Sequence, residues 1–222
     1  SVSFSAFDPF TPPDDQPDAA AGMRYYYVGL KKRVPENDLN QWVLKDKIDL
    51  CRDFTDSLKL CLSLTSKSDR WLKAVRKLES DSNFSEMDLC QLVNVYANDF
   101  SVAKKQFSEK ASALFERMSS GHAIVLLSVT KLVETVEEKT LILLDEPESH
   151  LHPPLLSAFT RALSDLLVNR NGVAIIATHS PVVLQEVPKS CVSILRRTRL
   201  ISKVERPENE TFAENVGVLT RE

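Results

Sequence analysis

The chain has 222 residues, with 28 Lys and Arg against 31 Asp and Glu, a formal net charge of -3, 43% apolar and 27% charged residues. That balance supports a buried core, lies outside the disordered class and argues against non-specific coating of nucleic acid, leaving only local basic patches open. The longest apolar runs, residues 123–127 and 141–144, fall far short of the ~20 residues of a membrane span, and no secretory leader is visible, so no membrane and a cytoplasmic location are expected.

Residues 1–7 alternate as a short strand does, with Val2, Phe4 and Ala6 on one face. Residues 8–22 carry four prolines and four aspartates and read as a loop. Residues 23–30 (MRYYYVGL) are β-rich and read as a second strand. A start in mid-strand without an initiator Met points to a fragment of a longer protein. From 40 to 118 there is neither Gly nor Pro, and apolar residues recur at helical spacing: Leu50, Phe54, Leu58 and Cys61 on one stripe, Leu89, Leu92, Val93 and Tyr96 on another. Breaks at 65–68 and 80–83 divide this stretch into three or four helices, whose charged faces need no explanation beyond solvation.

After residue 119 the texture changes again. Ser119-Ser120-Gly121 opens an amphipathic helix that runs to about 136. Residues 140–144 form a continuous apolar run, the pattern of a strand buried on both faces. Pro153-Pro154 starts a helix, Asn171-Gly172 ends it, and residues 173–177 read as a second buried strand. Residues 191–195 and 200–204 read as a hairpin around Arg196-Arg197-Thr198-Arg199. Helix and buried strand in alternation define an α/β fold with a mostly parallel sheet covered by helices. Three domains are expected: a β-rich part at 1–39, an α-helical insert at 40–118, and the remaining α/β half at 119–222.

Four segments carry chemistry. Asp145 and Glu146 follow the apolar run 141–144, so a carboxylate stands at the carboxyl end of a buried parallel strand, where open α/β sheets bind ligands. Asp145 there suits Mg²⁺ held through its water shell, and Glu146 suits orienting or deprotonating a water. An acidic strand end before a turn is the plainer alternative. His179, in Thr178-His179-Ser180 after the second run, can donate to a phosphate oxygen over the strand ends, or simply satisfy a turn. Ser119, Ser120, Gly121 and His122 open a helix, where a hydroxyl cap, free amides and the dipole make an anion site, though any helix needs a cap. His150-Leu151-His152 has the H-x-H spacing of a metal pair, but Pro147 and Pro153 put it in a turn rather than on a strand. Only five glycines occur, at 22, 29, 121, 172 and 217, so neither G-x-x-x-x-G-K-[ST] nor G-x-G-x-x-G is present. The four cysteines form no C-x-x-C pair, as expected of reduced thiols.

Taken in order, Ser-Ser-Gly-His, then Leu-Leu-Asp-Glu-Pro with Asp145 24 residues after Gly121, then Thr-His-Ser with His179 34 residues after Asp145, resemble the carboxyl-terminal half of an ABC-type ATPase head. The wording of residues 145–153 (DEPESHLHP), the opening SFSAFDPF, the segment RYYYVGL and the late TFAENVGVLTRE are similar to anti-phage defence ATPases of the Septu and overcoming-lysogenisation-defect types. The resemblance implies a P-loop-NTPase-like fold with ATP and Mg²⁺ as cofactors. It makes Asp145 the Walker B aspartate and metal ligand, and Glu146 and His179 the catalytic glutamate and switch histidine. Ser119, Ser120, Gly121 and His122 become the signature that reaches ATP in trans, with His122 standing where the common form has Gln. The P-loop itself is expected upstream of Ser1, which would leave the fragment alone inactive. The implied partners are a second copy, in a homodimer or higher oligomer built as an ATP sandwich, together with a nuclease subunit or domain and DNA. Two other readings stay open: a regulatory or scaffolding module without a P-loop, and a metal-dependent hydrolase using His150, His152 and Asp145.

Overall fold

The computed structural model of the protein describes residues 1–3, 11–36 and 39–220, so the expectations for Phe4 and Ala6 lie outside the described residues. Two compact units are present, Ser1–Ala177 and Thr178–Glu222. In chain order the first holds β1 (Val2–Ser3), β2 (Val28–Gly29), β3 (Lys31–Glu36), β4 (Leu39–Leu44), α1 (Lys47–Leu62), α2 (Thr65–Leu78), α3 (Ser82–Met87), α4 (Gln91–Asn98), α5 (Lys105–Glu116), α6 (Ser120–Thr135), β5 (Leu141–Asp145), α7 (Pro153–Val168) and β6 (Val173–Ala177). Four strands form an all-parallel sheet in the order β2-β1-β5-β6, as the alternation of helix and strand predicts.

The strand expected over 23–30 contracts to two residues of β2, and Tyr25 instead makes an isolated antiparallel bridge to Gln16. The stretch from residue 40 does not begin as helix: β4 pairs antiparallel with β3. Asp46 decides where helix starts, because its carboxylate accepts from the Asp49 amide at 2.7 Å while the Asp49 carboxylate accepts from the Asp46 amide at 3.1 Å. That reciprocal cap stabilises a helix beginning at Lys47 rather than earlier. Five helices follow before residue 118, where three or four were expected.

The core is centred on these helices. Trp71, Phe54, Phe84, Phe107 and Phe115 are fully buried, and the rings of Phe54 and Phe115 stack at 4.9 Å. The Trp71 indole N–H donates to Thr130 Oγ1 at 2.9 Å, so the one polar atom of the largest core side chain is satisfied. Helix α6 is buried all along Gly121 to Thr130 rather than on one stripe, because α1 and α2 pack on it together with α7 and β2. The amphipathic reading of α6 is therefore corrected.

The expectation of strands buried on both faces also fails. Ile142 and Leu144 are buried, whereas Leu141 is 57% and Leu143 47% exposed, and their register partners Val173 and Ile175 are both 59% exposed. An apolar run records that a strand is suited to burial. It does not record whether a second layer lies over the other face.

The second unit contains α8 (Pro181–Leu184), the antiparallel hairpin β7 (Ile194–Thr198) and β8 (Ile201–Glu205), and α9 (Val216–Leu219). Arg196 and Arg197, read as loop, belong to β7, and the turn falls on Arg199, at φ 56°, and Leu200. The four cysteines are free: Cys51 and Cys61 are buried, Cys90 is half-buried and Cys191 exposed. Burial, helped by the Glu134 charge, pushes the Cys61 thiol up to about 12. Among the described residues no helix is long and apolar enough to cross a membrane.

Candidate functional site

Strand β5 has a parallel neighbour on each side, and its last residue, Asp145, stands in register with Ser3 of β1 and Ala177 of β6. Asp145 is exposed. The next residue, Glu146, takes the left-handed conformation at φ 42° and ψ 59°, which costs a residue with a Cβ roughly 1–2 kcal/mol. Hydrogen bonds hold it there. The Glu146 amide donates to the Ala177 carbonyl at 2.9 Å, and the Ser149 hydroxyl and amide donate to the Glu146 carbonyl at 2.9 and 3.1 Å. The chain thus leaves the sheet through a tight 3-10 turn, Pro147–His150. A strained residue beside a strand-end carboxylate is a common mark of a functional site.

The start of α6 is built differently. Ser119 caps the helix, and both it and Ser120 are exposed. Gly121 is buried against the turn after Glu146: a Cβ at this position would stand 2.6 Å from the His150 carbonyl oxygen. Only glycine fits so close an approach. His122 is 4% exposed, and its ring is fully engaged. Its Nδ1 lies 2.7 Å from Ser119 Oγ, and its Nε2 lies 3.0 Å from Asp81 Oδ1 and 3.3 Å from the Asn83 amide nitrogen.

Asp81 is the residue that sequence reasoning missed. It caps α3, with Oδ1 accepting from the Asn83 and Phe84 amides at 3.0 and 3.3 Å, and its other oxygen lies 3.5 Å from His152 Nε2. Burial works against the charge on Asp81, but the His122 hydrogen bond and the two amides outweigh it and hold the carboxyl below the ordinary aspartate range. The only local signal was an Asp at a helix break; nothing nearby pairs it with residues 122 and 152. His152 in turn caps α7, with Nδ1 accepting from the Leu155 amide at 3.4 Å. Pro153 and Pro154 follow it, so Leu155 supplies the first amide of that helix.

Among the described residues Asp81, His122 and His152 are the one group of three or more His, Cys, Asp and Glu side chains that could ligate a metal. The alternative set Asp145, His150 and His152 is therefore not assembled: the turn separates His150 from its partner, and His152 joins Asp81 instead. His179 is exposed in the second unit, in the turn before α8, where Ser180 caps the helix by accepting from the Val182 amide at 3.3 Å.

Residues 47–185 match the family described as "AAA domain, putative AbiEii toxin, Type IV TA system". The chain is also 53% identical over 232 aligned residues to Protein ea59 of Escherichia phage lambda, a match that covers 100% of this chain and 43% of that protein. It thus spans less than half the length of this relative. With more than half of its residues inside the family match, and with a parallel sheet ending in adjacent carboxylates, the chain belongs to this family of AAA-type ATPase domains.

Proposed function

We propose that the chain is part of an ABC-type ATPase head that binds and hydrolyses ATP, pairs with a second copy across the nucleotide, and serves anti-phage defence or DNA processing alongside a nuclease. The observation that supports this most is the position of Asp145 and Glu146 at the carboxyl end of a strand with parallel neighbours on both sides, in a chain of an ATPase family. In this reading the head is formed by residues 1–39 and 119–222, with the helical insert between them.

The donor chemistry at Asp145 fits Mg²⁺: one exposed carboxylate in an open position leaves room for the waters and phosphate oxygens that this ion prefers. When bound, Mg²⁺ would neutralise phosphate charge. Asp145 would hold the ion through its carboxylate. Glu146 would orient the attacking water and accept its proton on a carboxylate oxygen. His179 would donate to a phosphate oxygen. Ser119, Ser120 and the amides opening α6 would face nucleotide held by the second copy, with Gly121 packed behind them. The buried ring of His122 would act at this surface through Ser119, to which it is bonded. The phosphate-cradling loop, absent from these 222 residues, would come from elsewhere in the functional assembly.

Glu146→Gln in the intact protein tests the reading. Its shape is kept and its basicity removed, so ATP should still join two copies while hydrolysis stalls, and the ATP-bound pair should persist in size-exclusion runs. An unchanged rate of dissociation of that pair would contradict the assignment.

A further inference from the structure

We propose that Asp81, His122 and His152 form a binding site for one first-row divalent transition-metal ion, with Zn²⁺ as the reference, which ties the helical segment to the first turns of both α6 and α7. Three separate elements deliver the ligands: the cap of α3, the third residue of α6 and the cap of α7. Their ligand atoms all lie within 4.8 Å of one another, with Asp81 to His122 at 3.0 Å and Asp81 to His152 at 3.5 Å. Zinc bonds to nitrogen and oxygen are about 2.0–2.2 Å, so a tetrahedral ion wants its ligand atoms roughly 3.3–3.6 Å apart. The two Asp81 distances lie within about 0.3 Å of that spacing, and the remaining pair, at no more than 4.8 Å, closes as the exposed His152 ring swings in. Two imidazoles and one carboxylate suit Zn²⁺ and its first-row neighbours, whereas Mg²⁺ and Ca²⁺ favour all-oxygen sets.

The surroundings are those of a metal site. A ligating histidine usually donates its other ring N–H to a fixed acceptor, and His122 Nδ1 has Ser119 Oγ at 2.7 Å for that purpose. The Asp81 carboxylate is aimed by the Asn83 and Phe84 amides. Asp81 and His122 are buried, while the His152 side chain is 46% exposed, so an ion can arrive from the His152 side and keep a water as its fourth ligand. The protons balance. Without metal, the Nε2 atoms of both rings face Asp81 oxygens. With metal, each ring gives its Nε2 lone pair to the ion, keeps one proton on Nδ1 and releases any second proton to water. His122 then donates to Ser119 Oγ. His152 releases the Leu155 amide, a bond already long at 3.4 Å.

The site shares His122 and its partner Ser119 with the surface of the ATPase reading but does not require nucleotide, and its test needs no activity. The full chain, free of any polyhistidine tag and stripped with chelator, is titrated with Zn²⁺ by calorimetry and with Co²⁺ by its visible ligand-field absorption. One equivalent per chain is expected, with a four-coordinate Co²⁺ spectrum. His152→Ser keeps an oxygen cap for the Leu155 amide but removes the ligand, and should weaken Zn²⁺ by at least tenfold with the helical circular dichroism unchanged. Ser119→Ala, which removes the partner of His122 Nδ1 together with the cap of α6 and leaves all three ligands in place, should weaken it by about tenfold. His150→Ser should bind as the wild type does. Binding below one equivalent, wild-type affinity in His152→Ser, or loss of binding in His150→Ser would each overturn the proposal.

Discussion

Ser119 to His122 sit in a web spun by three elements, with a glycine pressed on a carbonyl and a buried ring bonded at both nitrogens. Asp145 and Glu146, only a turn of chain away from that carbonyl, stand exposed, and the backbone of Glu146 is strained. The first region is preorganised by the chain itself. The second leaves Asp145 and Glu146 exposed and holds strain in the Glu146 backbone. Close packing and backbone strain thus stand side by side.

Substitutions can break that contrast, and the largest effect belongs to Gly121→Ala. The added methyl meets backbone rather than a yielding side chain, so denaturant unfolding should show a loss of about 2–3 kcal/mol. Ser119→Ala removes the cap of α6 and the partner of His122, and should cost about 1 kcal/mol by the same measurement. Glu146→Gly should move stability the other way, by up to about 1 kcal/mol, since glycine takes the left-handed conformation without strain. A loss of stability in that variant would mean that the Glu146 side chain, not its backbone, governs the turn.

Asp99, outside both regions, gives a smaller yardstick from pH. The Phe107 amide, with the Ser101 hydroxyl and amide, holds this carboxyl below its ordinary value against burial. Its contribution is therefore present above the unfolded aspartate value, about 4, and is lost as pH falls through the lower folded value. Asp99→Asn should lower stability near neutral pH while leaving it nearly unchanged in strong acid, so that the acid limb of the curve flattens.

Much of the scaffold was legible. Pro153-Pro154 and Asn171-Gly172 bracket α7, and β6 occupies the residues expected, because those signals act within one or two positions of themselves. Strand β4 was not legible: residues 39–44 lack Gly and Pro, and their pairing is decided by a partner strand rather than by their own pattern. The same limit hid the open face of β5 and β6, since burial is a property of what lies opposite. At the site, the strand-end carboxylates and the glycine at the start of α6 stood out locally. Asp81 did not, because it lies 41 residues from His122 and reads by itself as a helix cap.

The thiols described with the fold have a practical corollary for spectroscopy. A thiol with a pKa near 12 is almost never a thiolate at neutral pH, and Cys61 is sealed in the core as well, so maleimide reagents will pass it over. Cys51 is buried too, and Cys90 is only half open, with its thiol also raised by burial and the Glu79 charge. Cys191 is the exposed thiol among the four. Brief labelling at neutral pH should therefore place a single dye on these 222 residues, within the unit that carries His179, and allow that unit to be followed by fluorescence.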